Sequence, residues 1–306
     1  MEKFLVTGGA GFIGSHLADA LLAAGQGVRV LDDLSTGRRA NLDPRCELLV
    51  GDVADPAVLR AALAGVAGCF HLAAIASVAR GNADWRGTHR INQSASVAVF
   101  EAAREAGRLP VVYASSAAVY GDPGGDVATE DAPCAPLTAY GADKLGSELH
   151  AAVAWRVHGV PTLGLRFFNV YGPRQDPSSP YSGVISIFAR RAEQGLPISV
   201  FGDGEQTRDF IYVGDLVKLL VKALLAEEVA ESAINVGLDQ STSLNQLLAE
   251  IGKLTGGLPQ ITYQPARHGD IRHSRADNRR LLQRYHLDAP TPLAEGLAQL
   301  ITTRVC

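Results

Sequence analysis

The sequence predicts an α/β protein: a doubly wound parallel sheet with helices on both faces, followed by a second, smaller mixed α/β lobe. Three observations carry this. Short β-type runs alternate with longer helical patterns through the first half of the chain. Those runs are apolar almost throughout, as strands buried on both faces must be, and the alternation loosens after Asn169. The first strand is read at residues 3–7 and the helix after it at 12–24. Strands at 28–32, 47–51 and 69–73 follow, with a helix over 56–64 between the last two. A helix over 93–106, a strand at 111–115, a helix over 137–158 and a strand at 161–168 complete the first half. The Pro-rich stretch 171–180 cannot continue a regular element and marks the crossing into the second lobe. Helices near 184–194, 213–226, 244–254 and 292–303 belong beyond it, and strands near 209–212 and 233–236 are expected to return to the first sheet. The first domain is therefore expected over 1–169, rejoined by about 207–238, and the second over 170–206 and 239–306.

Composition narrows the class of function. At 306 residues the chain exceeds one average domain, and its 47% hydrophobic content is that of a globular protein. A net charge of −4 leaves no basic field to hold nucleic acid or an anionic membrane, so neither is expected as a partner. Cys46, Cys69, Cys134 and Cys306 show neither C-x-x-C nor zinc-ligand spacing, and no metal site is expected. The chain opens on Met-Glu-Lys and then a strand, without a signal-peptide pattern or an apolar run long enough to span a bilayer. A cytoplasmic protein with reduced thiols is expected.

Two local patterns point to chemistry. Directly after the first strand comes Thr7-Gly8-Gly9-Ala10-Gly11-Phe12-Ile13-Gly14, opening a helix. Glycines there permit a tight turn and close approach of backbone N–H groups to a pyrophosphate at a helix N-terminus. A bare glycine pattern is weak, but a strand before it and a helix after it are the confirming context. Asp32 ends the second strand 18 residues beyond Gly14, where an acid can hold ribose hydroxyls and repels a 2′-phosphate. NAD is favoured over NADP, although Arg38 and Arg39 would suit the 2′-phosphate.

The second pattern is Tyr140 and Lys144, four residues apart in a helical stretch and hence on one helix face. Bringing a phenol from its ordinary pKa of about 10 to near neutrality requires roughly 4 kcal/mol in favour of phenolate. A cation at about 4 Å supplies up to about 4 kcal/mol at an effective dielectric of about 20, before solvent screening. An isolated Y-x-x-x-K is most often an exposed neighbour pair, so the weight of this one rests on the glycine loop that precedes it.

With these motifs in order, the chain resembles the extended short-chain dehydrogenase/reductase family. The resemblance is carried by Gly8, Gly11 and Gly14; Asp52-Val53; His71-Leu72-Ala73-Ala74; Ser115-Ser116; Tyr140 with Lys144; Arg166-Phe167-Phe168-Asn169; and Phe201-Gly202-Asp203-Gly204 through Arg208-Asp209-Phe210. Within the family it looks most like the UDP-glucose and UDP-N-acetylglucosamine 4-epimerases. It implies a Rossmann domain binding NAD, a second domain binding a UDP-sugar, and a homodimer packed through the long helices after strands four and five. Tyr140 would take the sugar O4 proton, Lys144 would hold the nicotinamide ribose and lower the tyrosine pKa, and Ser116 would bond the O4 position. Asp52 and Val53 would flank adenine and Asn92 would support the nicotinamide side. Phe12, Ile13, Asp33, Leu72, Ala73, Ala74 and Phe167 would complete the cofactor site. For the substrate the resemblance implies Asn169, Val184, Phe201, Arg208, Arg267, Asp270 and Ser274, with guanidinium donors on diphosphate and a carboxylate on ribose hydroxyls.

The resemblance also selects a reaction. Dehydratases of this kind carry an Asp-Glu pair just after the serine or threonine, and the decarboxylases usually place a glutamate there; this chain has Ala117 and Ala118. Without those acids, elimination lacks its proton donor and base, and 4-epimerisation through a 4-keto sugar is what remains. Ser274 aligns with the gatekeeper beside the hexose C2 substituent, where a small residue leaves room for an N-acetyl group. UDP-N-acetylglucosamine and UDP-N-acetylgalactosamine are therefore the expected pair, with some UDP-glucose/UDP-galactose turnover. The alternatives are a UDP-glucuronate 4-epimerase and, in another class, a non-catalytic NAD-binding sensor or scaffold.

Overall fold

The computed structural model describes residues 1–76, 81, 83–125, 127–176, 183–225, 233–266, 270–285 and 287–303. The first half supplies strands β1 (Lys3–Thr7), β2 (Gly27–Asp32), β3 (Glu47–Val50), β4 (Gly68–His71), β5 (Val111–Ser116) and β6 (Thr162–Phe167). Short strands follow: β7 (Asn169–Tyr171), β8 (Ile198–Phe201), β9 (Thr207–Arg208), β10 (Phe210–Tyr212), β11 (Ala233–Val236), β12 (Thr242–Ser243) and β13 (Ile261–Gln264). Among the described residues one seven-stranded sheet forms, in the order β11-β6-β5-β4-β1-β2-β3. The pairs β1·β2, β2·β3, β1·β4 and β4·β5 all run parallel. The order reverses between β1 and β4. In a doubly wound sheet that reversal opens a crevice at the carboxyl ends of the strands, where ligands bind. This is a Rossmann sheet.

The helices are α1 (Phe12–Ala23), α2 (Pro56–Leu63), α3 (Trp85–His89), α4 (Ala95–Glu105), α5 (Ala139–His158), α6 (Val184–Glu193), α7 (Val213–Leu225), α8 (Leu244–Thr255), α9 (Arg279–Arg284) and α10 (Leu293–Thr302). Helix α5 begins where Thr138 Oγ1 accepts the Gly141 N–H at 3.0 Å and ends at Gly159, whose φ of 67° only glycine adopts without strain. On one face of the sheet, Leu5, Leu31 and Val111 pack with Leu59 of α2, Val99 and Phe100 of α4 and Ala151 of α5, all nearly inaccessible to solvent.

The chain divides into two compact units: residues 1–119, 136–166 and 217–234 in the first, and 120–135, 167–216 and 235–306 in the second. Two expectations need correction. Residues 233–236 do join the large sheet as β11, but β10 does not; it pairs parallel with β7 in a separate two-stranded ribbon, Phe210 opposite Asn169. Strand β6 already has β5 and β11 as its neighbours, so no edge is left there for β10. The helix expected over 93–106 is interrupted at its start by a π turn (Arg90–Ser94) that continues directly from α3 and turns Asn92 inward. Such an extra residue in a helical turn has no signature in hydrophobic periodicity.

Candidate active site

Strand β1 delivers the chain at Thr7 into a turn at Gly8, where φ is 68°. A Cβ at Gly8 would lie 2.8 Å from the Ala73 backbone; one at Gly14 would strike the Gly8 carbonyl and lie 2.7 Å from the Gly9 Cα. Neither space tolerates a side chain. Helix α1 then starts at Gly11 without a side-chain cap. Backbone this bare, facing a helix N-terminus, fits the pyrophosphate of a dinucleotide.

Asp32, 7% exposed at the end of β2, accepts the Ala10 N–H at 2.9 Å through Oδ2 and the Leu34 N–H at 2.8 Å through Oδ1. Burial pushes its carboxyl above the usual range, and the two backbone bonds oppose the rise. Each oxygen keeps a further lone pair, which is what ribose hydroxyls require. Asp33 is exposed and closes the turn, taking the Ser35 N–H at 2.9 Å and the Ser35 hydroxyl at 2.7 Å. Asp52 Oδ2 accepts from Arg90 at 2.7 Å, and Val53 beside it is buried. Leu72, Ala73 and Ala74 are half-buried after β4, with the Leu72 N–H on the Thr7 carbonyl at 3.2 Å. Asn92 is 1% exposed and holds both backbone groups of Ile75, accepting at 2.7 Å and donating at 3.0 Å. Phe12 and Ile13 lie half-buried in the first turn of α1.

Strand β5 carries Ser116 at its end, and α5 carries Tyr140 and Lys144 one turn apart. The Ser116 hydroxyl favours the ionised form of the Tyr140 phenol. The Lys144 Nζ sits 5.7 Å from the Tyr140 ring centroid and donates to the Ala114 carbonyl at 2.7 Å. Burial pushes the lysine down to about 8, with the carboxylates of Asp143 and Glu148 resisting. The resemblance implied a lowered tyrosine pKa. In the protein alone burial instead raises the phenol above its ordinary value, and the Ser116 bond only moderates this. The ring is partly exposed, but its hydroxyl end is desolvated, and the ammonium lies beside the ring with a proton committed to a carbonyl.

Beneath the pair lies an ion pair that sequence reading missed. Glu148 takes the Arg166 guanidinium with both oxygens, at 2.9 and 2.7 Å, and also accepts the Ser115 hydroxyl. Both charged side chains are at most 9% exposed. Two signals were present: Glu148 falls one turn past Lys144, and Arg166 stands alone in an apolar strand.

The second unit gathers most of the residues expected to meet substrate. Arg208 on β9 pairs with Asp270 at 3.7 Å and donates to the Thr207 carbonyl at 2.8 Å; burial draws its pKa down. The Ser274 N–H reaches the same Thr207 carbonyl at 3.2 Å, so Arg208, Asp270 and Ser274 share one neighbourhood. Asn169 opens β7, its N–H on the Asp209 carbonyl at 3.0 Å, and Phe201 ends β8 half-exposed. Val184 begins α6, and Phe167, 8% exposed, ends β6. Arg267 lies outside the described residues. Asp209, also missed, is fully buried and accepts backbone N–H groups of Leu238, Asp239 and Ala276 at 2.9–3.1 Å, which anchors the strand beside Arg208.

Among the described residues no group of side chains could hold a metal ion, and no helix is long and apolar enough to cross a membrane. A Rossmann sheet with a glycine cradle at its switch point, and a Tyr-x-x-x-Lys helix behind its fifth strand, defines the extended short-chain dehydrogenase/reductase class. Residues 4–237 match the model of the NAD dependent epimerase/dehydratase family, and the chain belongs to that family. NAD is its cofactor. A UDP-glucose 4-epimerase of Mycolicibacterium smegmatis is 38% identical, over 98% of this chain and 97% of the relative. Two solved structures are similar over nearly the whole chain. The UDP-glucose 4-epimerase of Thermus thermophilus in complex with NAD has a TM-score of 0.91 at 33% identity, covering 98% of both chains. The UDP-N-acetylglucosamine 4-epimerase of Methanobrevibacter ruminantium in complex with UDP-N-acetylmuramic acid has a TM-score of 0.93 at 33% identity, covering 99% of this chain and 98% of that one.

Proposed function

We propose that this protein interconverts UDP-N-acetylglucosamine and UDP-N-acetylgalactosamine by C4 epimerisation, with some turnover of UDP-glucose and UDP-galactose. The observation that carries the reaction type is the pair Ala117 and Ala118, which occupy the short 3-10 turn after Ser116 (Ala117–Val119) and bring no acid to the reacting carbons. When bound, NAD supplies a reversible acceptor for the C4 hydride. Gly8, Gly11 and Gly14 would take its pyrophosphate and Asp32 its adenosine ribose. Tyr140 would withdraw the O4 proton and later return it, Ser116 would bond that oxygen, and Lys144 would hold the nicotinamide ribose. Burial holds the Tyr140 phenol high in the protein alone, and a fixed positive charge in the site, which oxidised nicotinamide would supply, would favour its ionised form. Arg208 and Arg267 would grip the diphosphate, Asp270 the uridine ribose, and Phe201 the uracil face. Because the lysine acts as a cation and burial sets it near 8, kcat/KM is expected to fall as pH rises through about 8 on either substrate pair.

Ser274 supports the acetamido sugar, since its small side chain leaves room beside C2. Ser274→Tyr is expected to cut kcat/KM for UDP-N-acetylglucosamine by about 10-fold or more while sparing UDP-glucose. The direct test is anomeric proton NMR after incubation with UDP-N-acetylglucosamine, UDP-glucose and UDP-glucuronate in parallel. Turnover of the uronate alone would overturn the substrate assignment.

A homodimer through the helices after β4 and β5 is supported by an exposed apolar stripe on α5: Leu149, Val153 and Val157 at four-residue spacing, 63%, 47% and 69% exposed. Such a stripe on a soluble helix calls for a partner. Val153→Glu is expected to convert the dimer to monomer in sedimentation velocity; an unchanged profile would place the interface elsewhere.

A further inference from the structure

Behind the glycine loop runs a buried polar chain that no step above uses. Thr7 Oγ1 lies 2.8 Å from His71 Nδ1, His71 Nε2 lies 3.0 Å from Ser96 Oγ, and Ser96 Oγ lies 2.6 Å from the Asn92 carbonyl. All four residues are at most 3% exposed. The direction of the Nε2 bond follows from its far end. A carbonyl only accepts, so the Ser96 hydroxyl spends its one proton on Asn92 and must accept from the ring. His71 therefore carries its proton on Nε2. In a neutral ring Nδ1 is then the lone pair, which accepts the Thr7 O–H, and the Thr7 oxygen in turn accepts the Ala73 N–H at 3.2 Å.

The two ends of this chain hold the same segment. Thr7 fixes Ala73, and Asn92 fixes Ile75 through its backbone N–H and carbonyl. Gly8, next to Thr7, packs its turn against Leu72 and Ala73 so closely that a Cβ there would sit 2.8 Å from Ala73. We infer that His71 is a positioning residue for the NAD site, a neutral Nε2–H imidazole that braces strand β1 against the π turn and so holds residues 72–75 in place beside the glycine loop. Burial and the nearby Lys144 charge push the imidazole down to about 3, so the brace keeps one protonation state through the neutral range. This inference rests on NAD as cofactor and is independent of which sugar is turned over.

Two measurements test it. Long-range proton–nitrogen correlation spectra of the histidine-labelled protein, with the His71 signals assigned by difference from His71→Gln, are expected to show the neutral Nε2–H form unchanged from about pH 8 to about pH 5.5. A protonated ring, or a proton on Nδ1, overturns the inference. Calorimetric NAD titration of Thr7→Val and Ser96→Ala, each of which removes one partner of the ring, is expected to weaken binding by about 10-fold, with Thr7→Ser restoring it. A lower melting temperature in both variants with unchanged NAD affinity would make the chain purely structural and reject the positioning role. Failure of the unaltered protein to bind NAD would instead strike the cofactor assignment, and the ring spectra would still report the tautomer.

Discussion

Tyr140→Phe is expected to lower epimerisation by about 10³-fold or more while the protein stays folded and NAD stays bound, because the change removes a proton carrier and little else. The phenylalanine ring keeps its place beside the Lys144 ammonium, 5.7 Å from its centroid, and Lys144 keeps its bond to the Ala114 carbonyl. Ser116 loses its phenol partner and gains no basicity in exchange. Proton transfer from O4 would then fall to water, and general-base assistance of this kind is worth about 10²- to 10⁴-fold. The measurement pairs kcat with the NAD content of the purified variant. Activity within about 10-fold of the unaltered enzyme would remove Tyr140 as the base; loss of both activity and NAD would point to a collapsed site instead.

Arg166→Met is expected to have the largest effect on stability, about 3–5 kcal/mol, because it strands the Glu148 carboxylate. Glu148 is 9% exposed and takes the guanidinium through both oxygens, so water does not replace the lost partner. The Ser115 hydroxyl remains bonded to it but carries no charge. Removing both members, as Glu148→Leu with Arg166→Met, should recover most of the loss, since a desolvated ion pair and an apolar pair of similar volume differ little in net stability. Chemical denaturation of the two variants distinguishes the outcomes. A single variant within about 1 kcal/mol of the parent would mean that the pair is hydrated in solution.

The strand and helix plan was legible because burial on two faces writes itself as apolar runs and one-sided burial as a period of 3.6. The runs at 3–7, 28–32, 47–51, 69–73 and 111–115 lie on β1 to β5 to within a few residues. The four-residue spacing of Tyr140 and Lys144 could be placed on one helix turn without coordinates. The two-residue strands β9 and β12 were not legible, since so short a pairing has no alternation to display and is made by its partner.

What the residue order alone establishes here is local: where glycine bares the backbone after β1, which acid ends β2, which helix carries a phenol one turn from an ammonium. Three-dimensional folding settles what depends on partners remote in sequence. Glu148 meets Arg166 18 residues on, His71 meets Thr7 64 residues back and Ser96 25 residues on, and β10 joins β7 rather than the large sheet. The reason is physical. Backbone propensity and periodicity act over a few residues, whereas desolvation and hydrogen bonding depend on everything packed around a group, whatever its distance along the chain. Lysine 144 is the clearest case: its place on the helix face was set by spacing, and its pKa near 8 by the burial that folding imposed.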